Sequence, residues 1–447
     1  MTNHNQDMKP SVFIPLATLL FVSPLLSAAD WSNWRGPEMN GSSPATDTPV
    51  TFSAEQGVRW AADMPGAAAS TPVISGNHVF VSSTDQAKKN LLALAYDLKS
   101  GKELWRHVVG QGLKQDDRSN YAGASPVSDG KHVVFFYGTG DLAVFTVAGK
   151  PVWKKNIQEE YGKFYFLWTF STSPLLHGEK IIMQVLQRDT PVHNFQKGGG
   201  KQSPYLLALS MKDGSKIYQV ERPDEARAEA KEAFSTPVLY DHKGKTQLLV
   251  TGGDCITGHD PETGKEIWRW GTWNPDKIGH WRLVPSPVAG NGIALACAPK
   301  GAPIYAVKLG GNGKLDDSHI AWKSTNANVS SDVPTPLFYR GHFYVAHNGR
   351  KRSHTLSCIE PESGKVLWSE DLKVDGKIEA SPTAADGKIY IITHYGEVAV
   401  VAAGEEFKPL HKVGMGPGRN GRVRSSITLA DGLALIRTDQ KLFCIGK

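Results

Sequence analysis

The sequence holds little from which a familiar catalytic or metal centre could be built. Only four cysteines occur among 447 residues and no two are adjacent, which excludes a vicinal disulfide and a cysteine-rich zinc fold. The fifteen histidines show no His-Glu-x-x-His or comparable spacing, so any metal ligands would have to converge from distant parts of the chain. No Gly-x-Ser-x-Gly elbow is present. Gly198-Gly199-Gly200 lacks a following Gly-Lys-Ser/Thr and a strand-to-helix setting, so it reads as a loop and not as a phosphate cradle. The net charge is +6, spread along the chain with no long Lys/Arg block. That argues against nucleic acid as a partner and leaves an acidic surface or a small anionic ligand open.

Long apolar runs are also missing, apart from one at the N-terminus. Residues 12–26 (VFIPLATLLFVSPLL) follow Lys9 and precede Ser27-Ala28-Ala29. The run is short and proline-broken for a membrane span, which needs about 20 residues. Residues 1–29 are therefore expected to be a signal peptide, with Asp30 opening the mature chain. No transmembrane span is expected in the mature chain, and a periplasmic or extracellular location follows. No cysteine lies near the cleavage point, so no lipid anchor is expected there.

What the sequence does have is a repeated cassette. Eight copies open with Ser/Thr-Pro and an apolar residue: Thr71-Pro72, Ser125-Pro126, Ser173-Pro174, Thr236-Pro237, Ser286-Pro287, Thr335-Pro336, Ser381-Pro382 and a worn Ser425-Ser426. Most close on an aromatic: Trp105, Trp153, Tyr218, Trp268, Trp322 and Trp368, with His411 in the seventh copy and an early Trp60. Five copies end in segments of one length: 95–105, 143–153, 208–218, 258–268 and 358–368. In them a strand meets a turn closed by Gly101, Gly149, Gly214, Gly264 or Gly364, and the next strand carries the aromatic. The constant offset predicts that Trp60, Trp105, Trp153, Trp268, Trp322 and Trp368 dock each blade on a neighbour.

A strand-built repeat of roughly 45–65 residues predicts a β-propeller. The last copy stops at Cys444-Ile445-Gly446-Lys447, where its outer strand should begin, and the matching piece, Val58-Arg59-Trp60, lies at the N-terminus. Pairing the two completes one blade and closes the ring. The expected fold is all-β: an eight-bladed propeller of four-stranded antiparallel blades over residues 58–447, with a lead segment, 30–57, lying over the ring. Seven blades, with one copy misread, is the alternative. Cys358 and Cys444 fall at a register position held elsewhere by Ala95, Ala143, Ala208 and Gly258, where a small buried residue is wanted. Cys255 and Cys297 lie in adjacent copies and could pair.

The Ala-x-Asp-x-x-Thr/Ser-Gly-Lys-x-x-Trp segments, best seen at 95–105 and 258–268, resemble the pyrroloquinoline-quinone (PQQ) repeat family. The lead Trp31-Ser32-Asn33-Trp34-Arg35-Gly36-Pro37, with Asn40-Gly41, looks like that of exported PQQ-like propellers. The resemblance spans nearly the whole mature chain and implies the propeller more than the cofactor. The family includes quinoprotein alcohol dehydrogenases and non-catalytic relatives such as the outer-membrane assembly lipoprotein BamB. The dehydrogenases are typically longer, and many carry a vicinal disulfide; BamB carries a lipid anchor.

Ligands of propellers usually sit at the mouth of the central channel. Among residues flanking the cassette openings, only Arg424 and, one place further from its pair, Glu379 are charged. An Arg there could hold a carboxylate or phosphate, or simply pair with Glu379. Trp168 stands in an aromatic loop, 161–170, which could form a stacking wall or a cap of packed rings. Trp281 beside Arg282 suits a planar anion, or blade-to-blade packing. Arg419, Arg422 and Arg424 form one basic stretch and Arg350-Lys351-Arg352 another, both read as solvated loops. Residues 223–233 should form a short surface helix.

Three functions follow. The first is an exported, monomeric, non-catalytic binding or scaffold module for an envelope protein or small anionic ligand. The resemblance implies the second, a quinoprotein oxidoreductase of alcohols or sugars. There PQQ would lie flat on a Trp with Ca²⁺ held by several oxygens, and Trp168 or Trp281, Arg424 and Glu379 could supply parts. The third is a polysaccharide hydrolase or lyase with scattered acids.

Overall fold

A computed structural model describes residues 1–2, 30–113, 119–192, 200–271, 273–348, 354–416 and 421–446. The expected signal peptide, the triple-glycine loop as a whole, the 350–352 basic stretch and Arg419 lie outside these residues. Eight separate antiparallel sheets are present, which removes the seven-blade alternative. Blade 1 shows the plan, with strands Val73–Ser75, His78–Asp85, Asn90–Asp97 and Glu103–Gln111 in order from the axis outward. Blade 8 takes its three inner strands from Thr428–Ala430, Leu433–Arg437 and Lys441–Gly446, and its outer strand from Val58–Asp63. Trp60 stands opposite Cys444 in that pairing. The ring therefore closes by joining both ends of the chain in one sheet, which removes an open edge. No described helix is long and apolar enough to cross a membrane.

The core lies between blades. Alternating residues of adjacent sheets meet there, as Phe80 of blade 1 meets Phe135 of blade 2 edge to face at 6.5 Å. Outer-strand aromatics fasten the same seams. Trp60 Nε1 donates to Leu98 O (2.8 Å), Trp105 to Val147 O (3.0 Å) and Trp153 to Met211 O (2.8 Å). Trp322 donates to Pro361 O (2.6 Å) and Trp368 to Gly404 O (2.9 Å). Each acceptor belongs to the next blade. His411, in the seventh position, instead meets the lead segment at Phe52 O (2.8 Å).

Trp268 departs from this pattern. It is fully buried and donates to Gln247 Oε1 of its own blade at 2.8 Å. Its neighbour replaces the usual tight turn with an insertion whose strand Gly313–Lys314 runs parallel to Glu266–Trp270 as a fifth strand of blade 4. With no turn to receive it, the indole folds back over Gly258, where a Cβ would stand 2.1 Å from Nε1.

Two register details, and the state of the cysteines, correct the sequence reading. In blade 2 the residue opposite Trp153 is Val144, not Ala143, because its turn is one residue shorter. In blade 8 the opening residue is Ser426, with Ile427 in the proline place, so the worn copy shifts by one. All four cysteines are free and buried; Cys255 and Cys297 do not pair. The segment 223–233 is also not a surface helix. It forms only a 3₁₀ turn, Ala228–Lys231, and it buries Ala226, Ala230 and Glu232.

Candidate functional site

The eight opening residues form a closed ring of hydrogen bonds around the channel. The backbone N–H of each one donates to the hydroxyl of the next blade's residue. Thr71 donates to Ser125 (2.9 Å), Ser125 to Ser173 (2.9 Å), Ser173 to Thr236 (3.1 Å) and Thr236 to Ser286 (2.8 Å). Ser286 then donates to Thr335 (2.9 Å), Thr335 to Ser381 (3.0 Å), Ser381 to Ser426 (3.1 Å) and Ser426 back to Thr71 (3.2 Å). The inner strands of neighbouring blades belong to separate sheets and form no ladder with one another. A short hydroxyl side chain satisfies the N–H that would otherwise be orphaned. This explains Ser or Thr at every opening. The following Pro has no N–H to place and fits the start of a strand.

The ring lines a central cavity of about 170 Å³. Two residues before each ring member, a second row lines the same cavity. Six of its blades supply Ala69, Gly123, Ser171, Phe234, Val284 and Val333; blades 7 and 8 supply Glu379 and Arg424. With the corrected register of blade 8, the two charged residues are equivalent positions of neighbouring blades. Arg424 Nε donates to Glu379 Oε2 at 2.7 Å, and His394 Nε2 lies 2.8 Å from the same oxygen. Burial pushes the Glu379 carboxyl up, but His394 and Arg424 outweigh it and hold it down at about 2. It is an ionised carboxylate at any ordinary pH.

Arg282 and Trp168 also line the cavity, with Ser119 and Thr169. Arg282 is buried and sits 3.4 Å from Asp332 Oδ1. Trp168 is half-buried, and its Nε1 donates to Glu229 Oε1 at 2.9 Å. Its loop is held from behind by Glu232, which is fully buried, accepts Leu167 N–H at 2.9 Å and pairs with Arg188. Burial raises the Glu232 carboxyl to about 7 against the pull of Arg188. Four other rings of that loop, Phe164, Tyr165, Phe166 and Phe170, are buried among themselves and their neighbours, while Tyr161 is half-buried. Trp281 does not reach the cavity; it packs against the core of blades 3 to 5. Arg422 does not line the cavity; its guanidinium donates to Gly421 O and its backbone N–H to Asp439 Oδ2.

One lining residue escaped the sequence reading. Trp34, from the lead segment, lines the cavity from the end opposite Arg424. Its neighbour Arg35 fixes that placement. Arg35 is buried and donates to Pro336 O (2.8 Å), Pro382 O (3.1 Å) and Asn40 O (3.0 Å). Pro336 and Pro382 follow ring members Thr335 and Ser381, on the side away from Glu379. The lead also bridges to blade 1 through Trp31 and Ile74, to blade 2 through Ser32 O and Ser128 N–H, and to blade 7 through Ser42 and Ala384. The channel is thus a cup: Trp34 forms its floor, the hydroxyl ring its waist, and the Glu379–Arg424 row its rim. Among the described residues, no group of three or more His, Cys, Asp or Glu is arranged to hold a metal ion.

These features define an eight-bladed propeller of PQQ-like repeats with a cup-shaped channel. Residues 45–182, 89–315 and 313–443 match the family described as outer membrane protein assembly factor BamB, and the chain belongs to that PQQ-repeat family. No curated protein matches the sequence. Among solved structures, it is similar to BamB from Moraxella catarrhalis at 12% identity and a TM-score of 0.57, over 87% of this chain and 99% of that one. It is similar to the quinohemoprotein alcohol dehydrogenase of Comamonas testosteroni at 13% identity and 0.63, over 94% and 80%. A europium-containing methanol dehydrogenase matches at 11% identity and 0.65, over 94% and 98%. These likenesses establish the fold, which serves both catalytic and non-catalytic proteins.

Proposed function

We propose that this protein is an exported, non-catalytic binding module whose central cup receives a small ligand or a group carried by a partner protein. The observation that carries this reading is the state of Glu379. It is the one carboxylate lining the cup among the described residues, and it is already paired with Arg424 and in contact with His394. A general base needs a carboxyl near the working pH, and a glycosidase needs a pair of carboxyls. An ion pair that shares the lining with Trp168 and Arg282 suits recognition instead. Export is supported by the apolar N-terminal run and by membership of a family described by an outer membrane assembly factor.

The residues of the cup do not fit PQQ with Ca²⁺. Calcium takes six to eight oxygens, usually with several carboxylates. The cup offers one carboxylate, and Arg424 and Arg282 beside it would repel a cation.

The test uses purified mature protein. A panel of small organic acids, sugars and their neutral counterparts is screened by thermal shift against wild type and Arg424→Gln. A class that raises Tm in wild type and not in the variant is the expected result. Stoichiometric uptake of PQQ with Ca²⁺, and dye-linked oxidation of an alcohol or sugar, would overturn the proposal.

A further inference from the structure

The waist of the cup has a chemistry that its role in closing the ring does not use up. Every ring hydroxyl accepts one backbone N–H, yet among the described residues none of the eight donates a hydrogen bond. All eight side chains are buried. A buried donor without an acceptor costs about 1–3 kcal/mol. Eight of them on one circle make a site that offers protons and is short of acceptors.

The charges around the axis point the same way. Arg35 lies just beyond the Trp34 floor, 5.3 Å from the indole centre. Its guanidinium is fully buried and bonds only to neutral carbonyls, with no carboxylate pairing with it among the described residues. Burial brings it down to about 9, so it remains a cation at neutral pH. A buried charge left without a counter-ion is strongly disfavoured. At the rim Arg282 and Arg424 face Asp332 and Glu379. Arg282 and Arg424 each have a carboxylate beside them, and Glu229 stands behind Trp168, whereas Arg35 has none among the described residues. A cation would be repelled by the guanidiniums, and each hydroxyl oxygen has one of its two lone pairs already engaged by an N–H. Water could accept from the hydroxyls but would leave Arg35 uncompensated.

We propose that the ring of eight hydroxyls is a binding site for a small monoanion, held on the channel axis between Trp34 and the Glu379–Arg424 row. This rests on the reading of the cup as a binding site and specifies what its waist accepts. The monoanion has two sources, a free halide or the carboxylate head of an organic ligand entering from the rim.

The experiment uses the full mature chain in halide-free buffer. Chloride, bromide and acetate are titrated, with acetamide as the neutral control, and binding is read by calorimetry and Tm. Saturable binding of the anions, with acetamide silent, is expected. Halide displacing acetate identifies a free-ion site; acetate that halide does not displace identifies the head of an organic acid. Thr236→Val and Ser381→Ala should each weaken binding at least fivefold, and Arg35→Met at least tenfold. Because ring variants could fail to fold, bromide is also located by anomalous scattering in wild-type crystals. A bromide on the axis within hydrogen-bond reach of the hydroxyls supports the proposal. Absence of saturable binding, or only water on the axis, overturns it. An organic acid whose binding is lost in Arg424→Gln but kept in Thr236→Val would overturn the waist site while leaving the cup as a binding module. PQQ-dependent turnover would remove both.

Discussion

Trp60 stands opposite Cys444 across the seam that joins the first strand to the last, and its indole reaches on to Leu98 O of blade 1 at 2.8 Å. One residue thus ties the N-terminal strand both to the end of the chain and to the next blade. Trp60→Ala removes that hydrogen bond and most of a buried ring, a loss of about 3–5 kcal/mol by the usual cost of large core truncations. Urea unfolding should show the midpoint falling accordingly, with the closing seam the first to become protease-sensitive. Arg59→Ala, exposed on the same strand, should change stability little. A Trp60→Ala protein that unfolds like wild type would mean that the seam does not hold the ring.

The turn glycines separate two effects that sequence alone confounds. Gly101 has φ +71° and Gly76 has φ +56°, so an alanine is strained at both. A Cβ at Gly101 would also stand 2.5 Å from the Trp60 ring, whereas at Gly76 it would meet nothing within 4 Å. Gly76→Ala should cost about 1 kcal/mol, from the backbone alone. Gly101→Ala should cost about 2–4 kcal/mol, because the docked indole must shift as well. Denaturant unfolding of the two variants in parallel reads the difference. Equal losses would show that the glycine–indole contact adds nothing.

The propeller was legible because each blade repeats the same physical demands at fixed offsets. Asp97 accepts the Ser100 amide at 2.7 Å and Asp260 accepts the Glu262 amide at 2.7 Å, as their turn positions require. Where a blade breaks the pattern, the sequence misled. Ile427 replaces proline, which hid Ser426 and placed Arg424 one position out of step with Glu379. The turn of blade 2 is a residue short, which moved Val144 into the place assigned to Ala143. The cup was less legible, since its residues converge only in three dimensions. Trp168 and Arg282 line it as nominated, but Trp281 turns into the core and Trp34 arrives from the lead. A signal for the hydroxyl ring was present in the recurring Ser/Thr, though its meaning depends on the distance between blades.

The cysteines make a prediction about chemistry. All four are free and buried, and burial pushes the Cys358 and Cys444 thiols up to about 12 and raises Cys255 and Cys297 as well. A thiol so placed holds almost no thiolate at neutral pH and reacts slowly. In native protein, Ellman's reagent should find no fast-reacting thiol; in denaturant it should find four. Reductant should leave Tm unchanged. A Tm that falls with reductant would show that a disulfide forms after all.

The Glu379 contact predicts how the rim responds to acid. Its folded carboxyl titrates at about 2, below the ordinary 4.5. A group depressed on folding contributes stability that is complete above the unfolded value and is lost as pH falls through the folded one. The contribution should therefore be full at neutral pH and fade between about 4.5 and 2. Glu379→Gln removes the anion and leaves Arg424 and His394 facing each other in a buried setting, which should cost on the order of 3 kcal/mol at pH 7. Near pH 2 the wild type has lost much of the same charge, so the gap between the two proteins should narrow. Unfolding free energies measured from pH 7 to pH 2.5 give the curve directly. If the gap stays constant, the residue acts through its shape and not its charge, and the electrostatic account of the rim fails. Pairing the change with Arg424→Gln should restore part of the loss at pH 7, because it removes the buried guanidinium that Glu379→Gln strands.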